Sequence, residues 1–256
     1  DGTLGLLGIG DRISPAVIFR GGASNAKKVF GSFLRRHLSG YVVNRNRPET
    51  DNVSHMAMYL HFGQISPLYL ALKVYGAKGI PPENRDAYLE ELIVRRELAS
   101  NFAYYVADYD RFSCLPAWAQ STLREHSNDR REYRYSRGML EAADTHDPYW
   151  NAAMLEMMHT GYMHNYMRMY WGKKILEWSA DPRAAFRTAL YLNNRYFLDG
   201  RDPSSYAGVA WVFGMHDRPW PQRDIFGKVR YMSAGGLERK ADPAAYVAKV
   251  ERLVRG

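Results

Sequence analysis

An aspartate or serine followed directly by proline opens a helical pattern at four places: Ser66-Pro67, Asp147-Pro148, Asp181-Pro182 and Asp242-Pro243. The side-chain oxygen can accept from the free N–H groups of a first helical turn. Proline is tolerated in that turn because its missing N–H would have had no partner there. Apolar side chains then recur at helical spacing, which predicts helices near 26–39, 66–75, 85–106, 148–160, 164–179 and 182–197. No stretch alternates as a half-buried strand would, and no repeat of fixed period is found. The expected fold class is all-α.

A chain of 256 residues, 46% hydrophobic and 14% aromatic, can bury a core large enough for one sizeable domain or two small ones. Its 35 lysines and arginines against 27 acids leave a formal charge of +8, which suits a polyanionic partner or an ordinary basic enzyme. A single cysteine, Cys114, excludes an internal disulfide framework and a thiolate zinc cluster, fits a reducing cytosol and reads as structural. No apolar run approaches the roughly 18 residues a spanning helix needs, so a soluble protein without a membrane partner is expected. The chain begins at Asp1 in a glycine-rich stretch, and natural sequence is expected upstream of it. Gly5, Gly8 and Gly10 match a dinucleotide fingerprint poorly, having no evident strand before them or helix after. Residues 1–24 therefore read as a linker and 25–256 as the helical domain.

Gly21-Gly22 closes the leading loop, and the polar, irregular stretch from Val43 to Met58 reads as a ligand-contacting connection. Residues 107–146 and 198–236 read as further loops, where a site would sit. The six tryptophans and 19 tyrosines exceed what core filling needs. Trp171 and Trp178, seven residues apart, share nearly one helix face, with Trp150 on the preceding helix. Spacing alone favours three separate core tryptophans over a line of electron stepping stones. Glu91 lies in a run of alternating carboxylates and guanidiniums that a solvated helix face explains, and Leu198–Pro203 reads as a cap and a turn. His159 and His164 do not share a face, and His61 and His216 have no ligand set nearby, so no metal site is expected. No hydrolase elbow or phosphate loop is found. The residues by themselves describe a basic helical protein with aromatic-lined loops.

Several strings, taken together and in order, resemble the class II cyclobutane pyrimidine dimer photolyases. They are Tyr59-Leu-His-Phe-Gly-Gln-Ile-Ser66, Glu91-Leu-Ile-Val-Arg-Arg-Glu-Leu98, Arg168-Met-Tyr-Trp-Gly-Lys-Lys-Ile-Leu-Glu-Trp178, Leu198-Asp-Gly-Arg-Asp-Pro203 and Phe226-Gly-Lys-Val-Arg-Tyr-Met232, within a similarity running from about residue 25 to 245. The resemblance implies a helical domain that cradles FAD in a bent conformation. The fully reduced flavin anion, excited by light, gives an electron to a dimer flipped out of double-stranded DNA, and the dimer splits.

The resemblance also implies residue roles. Asn193 would face flavin N5, Asp199 the pyrimidine edge with Arg168 as its ion-pair partner, and Glu91 the dimer bases. Trp178, Trp171 and Trp150 would form the photoreduction chain in that order from the flavin outward, assisted by Tyr166 and Tyr170. Trp211 and Met169 would pack on the dimer, and Arg218 and Trp220 would fill the gap left by the flipped bases. Tyr41, Arg45 and the stretch Ser54, His55, Met56, Ala57 would hold the diphosphate, although the family pattern Ser-Gly-Leu-Ser-Pro reads Ser54-His55-Met56-Ala57-Met58 here. The family also carries an upstream α/β antenna domain of roughly 200 residues, which this chain does not include. The expected protein is a monomer of the cytoplasm, associated with the nucleoid when bound to DNA. A cryptochrome-like light receptor and a nucleic-acid-binding remnant without flavin are the competing readings.

Overall fold

The structure, a computed structural model, describes residue 16 and residues 18–255. The glycine-rich start and most of the expected linker lie outside the described residues. In chain order, the first helices are α1 (Ala23–Arg36), α2 (Tyr41–Asn44), α3 (Ala57–His61), α4 (Pro67–Tyr75) and α5 (Pro82–Leu89). Helix α5 continues through a wider π-helical stretch, Glu90–Arg95, into α6 (Arg96–Tyr105). There follow α7 (Ala117–Glu125), α8 (Arg137–Glu141), α9 (Pro148–Thr160) and α10 (Asn165–Trp178). The chain ends with α11 (Pro182–Tyr196), α12 (Pro203–Val212), α13 (Ala234–Glu238) and α14 (Pro243–Arg255). Among the described residues there is no strand, only an isolated bridge between Arg223 and Gly227. The all-α expectation holds.

The caps form as the local chemistry dictates. Asp147 accepts from the N–H groups of Tyr149 and Trp150 at 3.0 and 3.1 Å, and Asp181 from those of Arg183 and Ala184 at 3.0 and 3.1 Å. Asp242 accepts from Ala245 at 2.9 Å and Ser66, more weakly, from Tyr69 at 3.4 Å. Each such cap stabilises its helix by about 1 kcal/mol. The two stretches expected to be loops differ: 107–146 contains α7 and α8, and 198–236 contains α12 and the start of α13. Helix α12 is opened by Asp202-Pro203, with Asp202 accepting from Ser204 at 2.9 Å. Its stripe is hidden because Ala207, Val209, Ala210 and Val212 are all buried, leaving little contrast between faces. The predicted helix over 85–106 is real, but the π-helical stretch at its centre shifts the faces around Glu91.

Two apolar clusters form. One combines α1 to α5 with Tyr162, and the larger joins α6 through α14, where α9 packs on α14 and α6 on α12. No described helix is long and apolar enough to cross a membrane, and no group of three potential metal ligands occurs among the described residues. Burial, then the charges of Asp108 and Asp110, pushes the Cys114 thiol up to about 12, which suits an unreactive structural cysteine.

Gly161 closes α9 in the left-handed conformation at φ 68°, and its carbonyl accepts from the N–H of Leu198 at 2.8 Å. A Cβ there would lie 2.5 Å from Leu198 Cγ. Gly161→Ala should therefore lower stability by about 2 kcal/mol through strain and overpacking together. Urea unfolding measures it, and a change within the scatter of surface mutations would contradict the packing described.

Candidate active site

The seam between the two clusters holds a cavity of about 290 Å³ and an adjoining one of about 190 Å³. Both are walled by Tyr41, Ser54, Met56, Ala57, Glu91 and Asp199. Two ion pairs line this space. Arg168 Nη2 donates to Asp199 Oδ1 at 2.8 Å and its Nε to the Met163 carbonyl at 3.2 Å, while its guanidinium lies 3.8 Å from the centre of the Phe197 ring. In the second pair Arg45 donates to Glu91 and lies 5.4 Å from the centre of the Tyr41 ring. Burial pushes the Tyr41 phenol up to about 12 even though the Arg45 charge opposes it. A larger cavity of about 490 Å³ lies beyond His55 and Tyr162, which line it as well as the first. The seam is the better candidate because two guanidinium–carboxylate pairs and the hydroxyls of Ser54, Ser204 and Ser205 converge on it.

The residues picked out by resemblance divide. Tyr41, Arg45, Ser54, Met56, Ala57, Glu91, Arg168 and Asp199 all meet at the seam. Asn193 does not line it: its amide donates to Ser205 Oγ at 2.7 Å, the hydroxyl lies 2.9 Å from Asn193 Oδ1, and Ser205 forms the wall. Ser205 was missed in sequence because α12 read as a loop. Met169 is half-buried against the larger cluster, and Trp211 is half-buried, 5.8 Å below the Arg95 guanidinium and 6.0 Å from His216. Trp220 is exposed, its Nε1 donating to Asp217 at 3.2 Å, with Arg230 and Arg218 at 4.9 and 5.8 Å from its ring.

The three tryptophans are buried and connected, but in a different order from the expected one. Trp171 is nearest the seam, 6.3 Å from the Phe197 ring that supports Arg168. Trp150 donates its Nε1–H to the Trp171 carbonyl at 2.9 Å and lies 5.6 Å from Trp178. Trp178 then meets Tyr135 at 5.1 Å and the exposed His146 at 5.4 Å. The line from the seam outward is thus Trp171, Trp150, Trp178. Seven-residue spacing set a shared face but not which end of α10 approaches the seam. Tyr170 serves the fold instead, its hydroxyl donating to the cap residue Asp147, and Tyr166 is half-buried with its phenol raised by burial.

No family model matches the chain. It is 57% identical over 237 residues to the deoxyribodipyrimidine photo-lyase of Methanothermobacter thermautotrophicus, covering 93% of this chain and 52% of that protein. The chain is similar to deoxyribodipyrimidine photo-lyases. A second relative of that name, from Oryza sativa subsp. japonica, is 50% identical over 86% of this chain and 44% of its own length. The chain spans about half the length of the curated relatives it matches. Its fold matches a bacterial class III photolyase from Agrobacterium tumefaciens with TM-score 0.68 at 20% identity, over 91% of this chain and 45% of that one.

Lys173 of α10 is fully buried and donates to the carbonyl of Val212, at the C-terminus of α12. Burial pulls its amine down to about 7, against the opposing charge of Asp217. An unfolded lysine titrates near 10.5, so between these values the unfolded chain binds more protons and stability rises with pH. Lys173→Met should flatten that rise. Denaturant unfolding across the window tests it, and identical pH slopes in the two proteins would count against the buried amine.

Proposed function

We propose that this chain forms the flavin-binding, dimer-splitting part of a class II cyclobutane pyrimidine dimer photolyase acting on double-stranded DNA. The observation that carries the reading is the seam cavity, which both the Arg168–Asp199 and the Arg45–Glu91 pairs line. That donor set fits FAD: guanidiniums and the hydroxyls of Ser54, Ser204 and Ser205 suit a diphosphate and ribose, and Tyr41, Met56 and Met163 suit flat rings. Ala57 offers no hydroxyl where the family has one, which removes a phosphate hydrogen bond of about 1 kcal/mol. The retained guanidiniums carry the stronger, charge-assisted contacts.

Bound and fully reduced, the flavin supplies the light-excited electron that splits the dimer. Arg168 and Asp199 would hold a polar edge of the bound ring, and Asn193 would position the Ser205 hydroxyl that lines the cavity. Glu91, steadied by Arg45, presents a carboxyl group to the flipped bases, where a hydrogen bond gains strength as charge develops on them. Met169 and Trp211 pack against the dimer, while Arg218 and Trp220 occupy the gap left in the duplex. Trp171, Trp150 and Trp178 carry electrons inward from the surface beside Tyr135 and His146. The names of the curated relatives favour repair over a light-receptor role.

The test is repair of a dimer-containing duplex by the reduced, FAD-loaded protein under blue light and in darkness. Light-dependent repair is expected, with Glu91→Gln lowering it about tenfold or more while flavin stays bound. Flavin binding without repair would move the reading towards the light receptor. Transient absorption separates the tryptophan orders: Trp171→Phe should abolish all tryptophan radical signal, whereas Trp178→Phe should leave only a short-lived one. Both variants, reduced chemically, should repair normally; the opposite pattern would restore Trp178 as the nearest link.

A further inference from the structure

Outside the seam, one ammonium group ties the C-terminal helix to the cavity wall. Lys249 Nζ, on α14, lies 3.2 Å from the Pro48 carbonyl oxygen, 3.5 Å from Asp51 Oδ1 and 3.6 Å from Glu156 Oε1. Glu156, on α9, is 2% exposed, and its Oε2 accepts from the Tyr246 hydroxyl at 2.6 Å and the His164 N–H at 3.3 Å. Burial pushes the Glu156 carboxyl up, and Lys249, Tyr246 and the His164 N–H oppose that push. His55 Nε2 completes the group, 3.3 Å from Asp51 Oδ1. Burial also pushes the Asp51 carboxyl up, but His55 and Lys249 outweigh it and hold it down to about 2.

The stretch that Lys249 grips is strained. Asp51 and His55 both adopt the left-handed conformation, at φ 57° and 55°, which residues bearing a Cβ keep only where surrounding contacts over-determine it. The His55 ring is wedged 4.7 Å from Tyr162 and 5.3 Å from Phe19, in the partition between the two larger cavities described above. Ser54, Met56 and Ala57, in the same short run, form the wall of the seam. A strained connection with few regular backbone bonds depends on its anchors, and the charged anchor comes from the far end of the sequence.

We propose that Lys249 is a positioning residue for the cofactor cavity: through it, α14 holds residues 48–57 in the shape that binds, and so sets how tightly flavin is retained. The flavin part of this inference rests on the reading given under Proposed function, while the hold on the wall does not. Lys249→Met should weaken FAD binding roughly tenfold and speed amide hydrogen exchange selectively in residues 48–57. Lys249→Arg should recover part of both. Tyr246→Phe removes another partner of Glu156 without touching the stretch; it should lower overall stability yet leave FAD affinity and exchange in 48–57 near the parent's.

Titration of each apo-protein with FAD, followed by fluorescence and paired with exchange mass spectrometry, reads both quantities without any repair assay. Unchanged exchange in 48–57 for Lys249→Met overturns the proposal, as does equal loosening by Tyr246→Phe, which would make the cluster merely structural. If the parent protein takes up no FAD, the flavin reading fails, and the exchange comparison still decides whether Lys249 holds the wall.

Discussion

The Arg168–Asp199 pair lies where two apolar clusters meet, and the surrounding structure keeps both charges satisfied. Removing a guanidinium and a carboxylate from water costs more than their attraction returns unless further partners complete the set. Here the Met163 carbonyl takes a second guanidinium N–H and the Phe197 ring covers its face. The bond from Leu198 to Gly161 pins the start of the loop that delivers Asp199 against the end of α9. Left alone at this seam, either charge would be an uncompensated one. The pair therefore constrains the ends of α9, α10 and α11 at once.

Helix α10 is the element through which that constraint spreads. It contains two lysines and an arginine, yet most of its side chains are buried. Lys173 spends its donor on an orphan carbonyl at the end of α12, and Lys174 pairs with Glu177 at 2.8 Å. Gly172 allows the close approach, since a Cβ there would lie 2.6 Å from Val212 Cγ2. One rigid helix thus carries Arg168 at the seam and both Trp171 and Trp178, between which Trp150 of α9 is packed. Packing of this kind keeps the spacing between these rings constant.

Arg168 and Asp199 form the pair that resemblance to the photolyases implied. Glu91 meets Arg45, a partner that a solvated helix face would not have required, and it does so from a π-helical stretch whose extra residue per turn changes the direction of the side chain. Asn193 lies one hydroxyl back from the wall, because Ser205 of α12 stands between it and the cavity. The substituted stretch at His55 shows the reverse case. A left-handed position that glycine fills easily is held here by a histidine, and its ring is retained by Asp51, Tyr162 and Phe19.

By itself the sequence determined the helical class and the starts of α4, α9, α11 and α14, because an aspartate or serine cap and a following proline act within a single turn and need no distant partner. It also determined which residue types were available for a charged, aromatic-rich site. Tertiary structure alone decided which of them meet. The order Trp171, Trp150, Trp178, the insertion of Ser205 before Asn193, and the reach of Lys249 to Pro48 and Asp51 all depend on how helices far apart in the chain are packed. Local periodicity records a face and a spacing, but not the neighbour against which that face is buried.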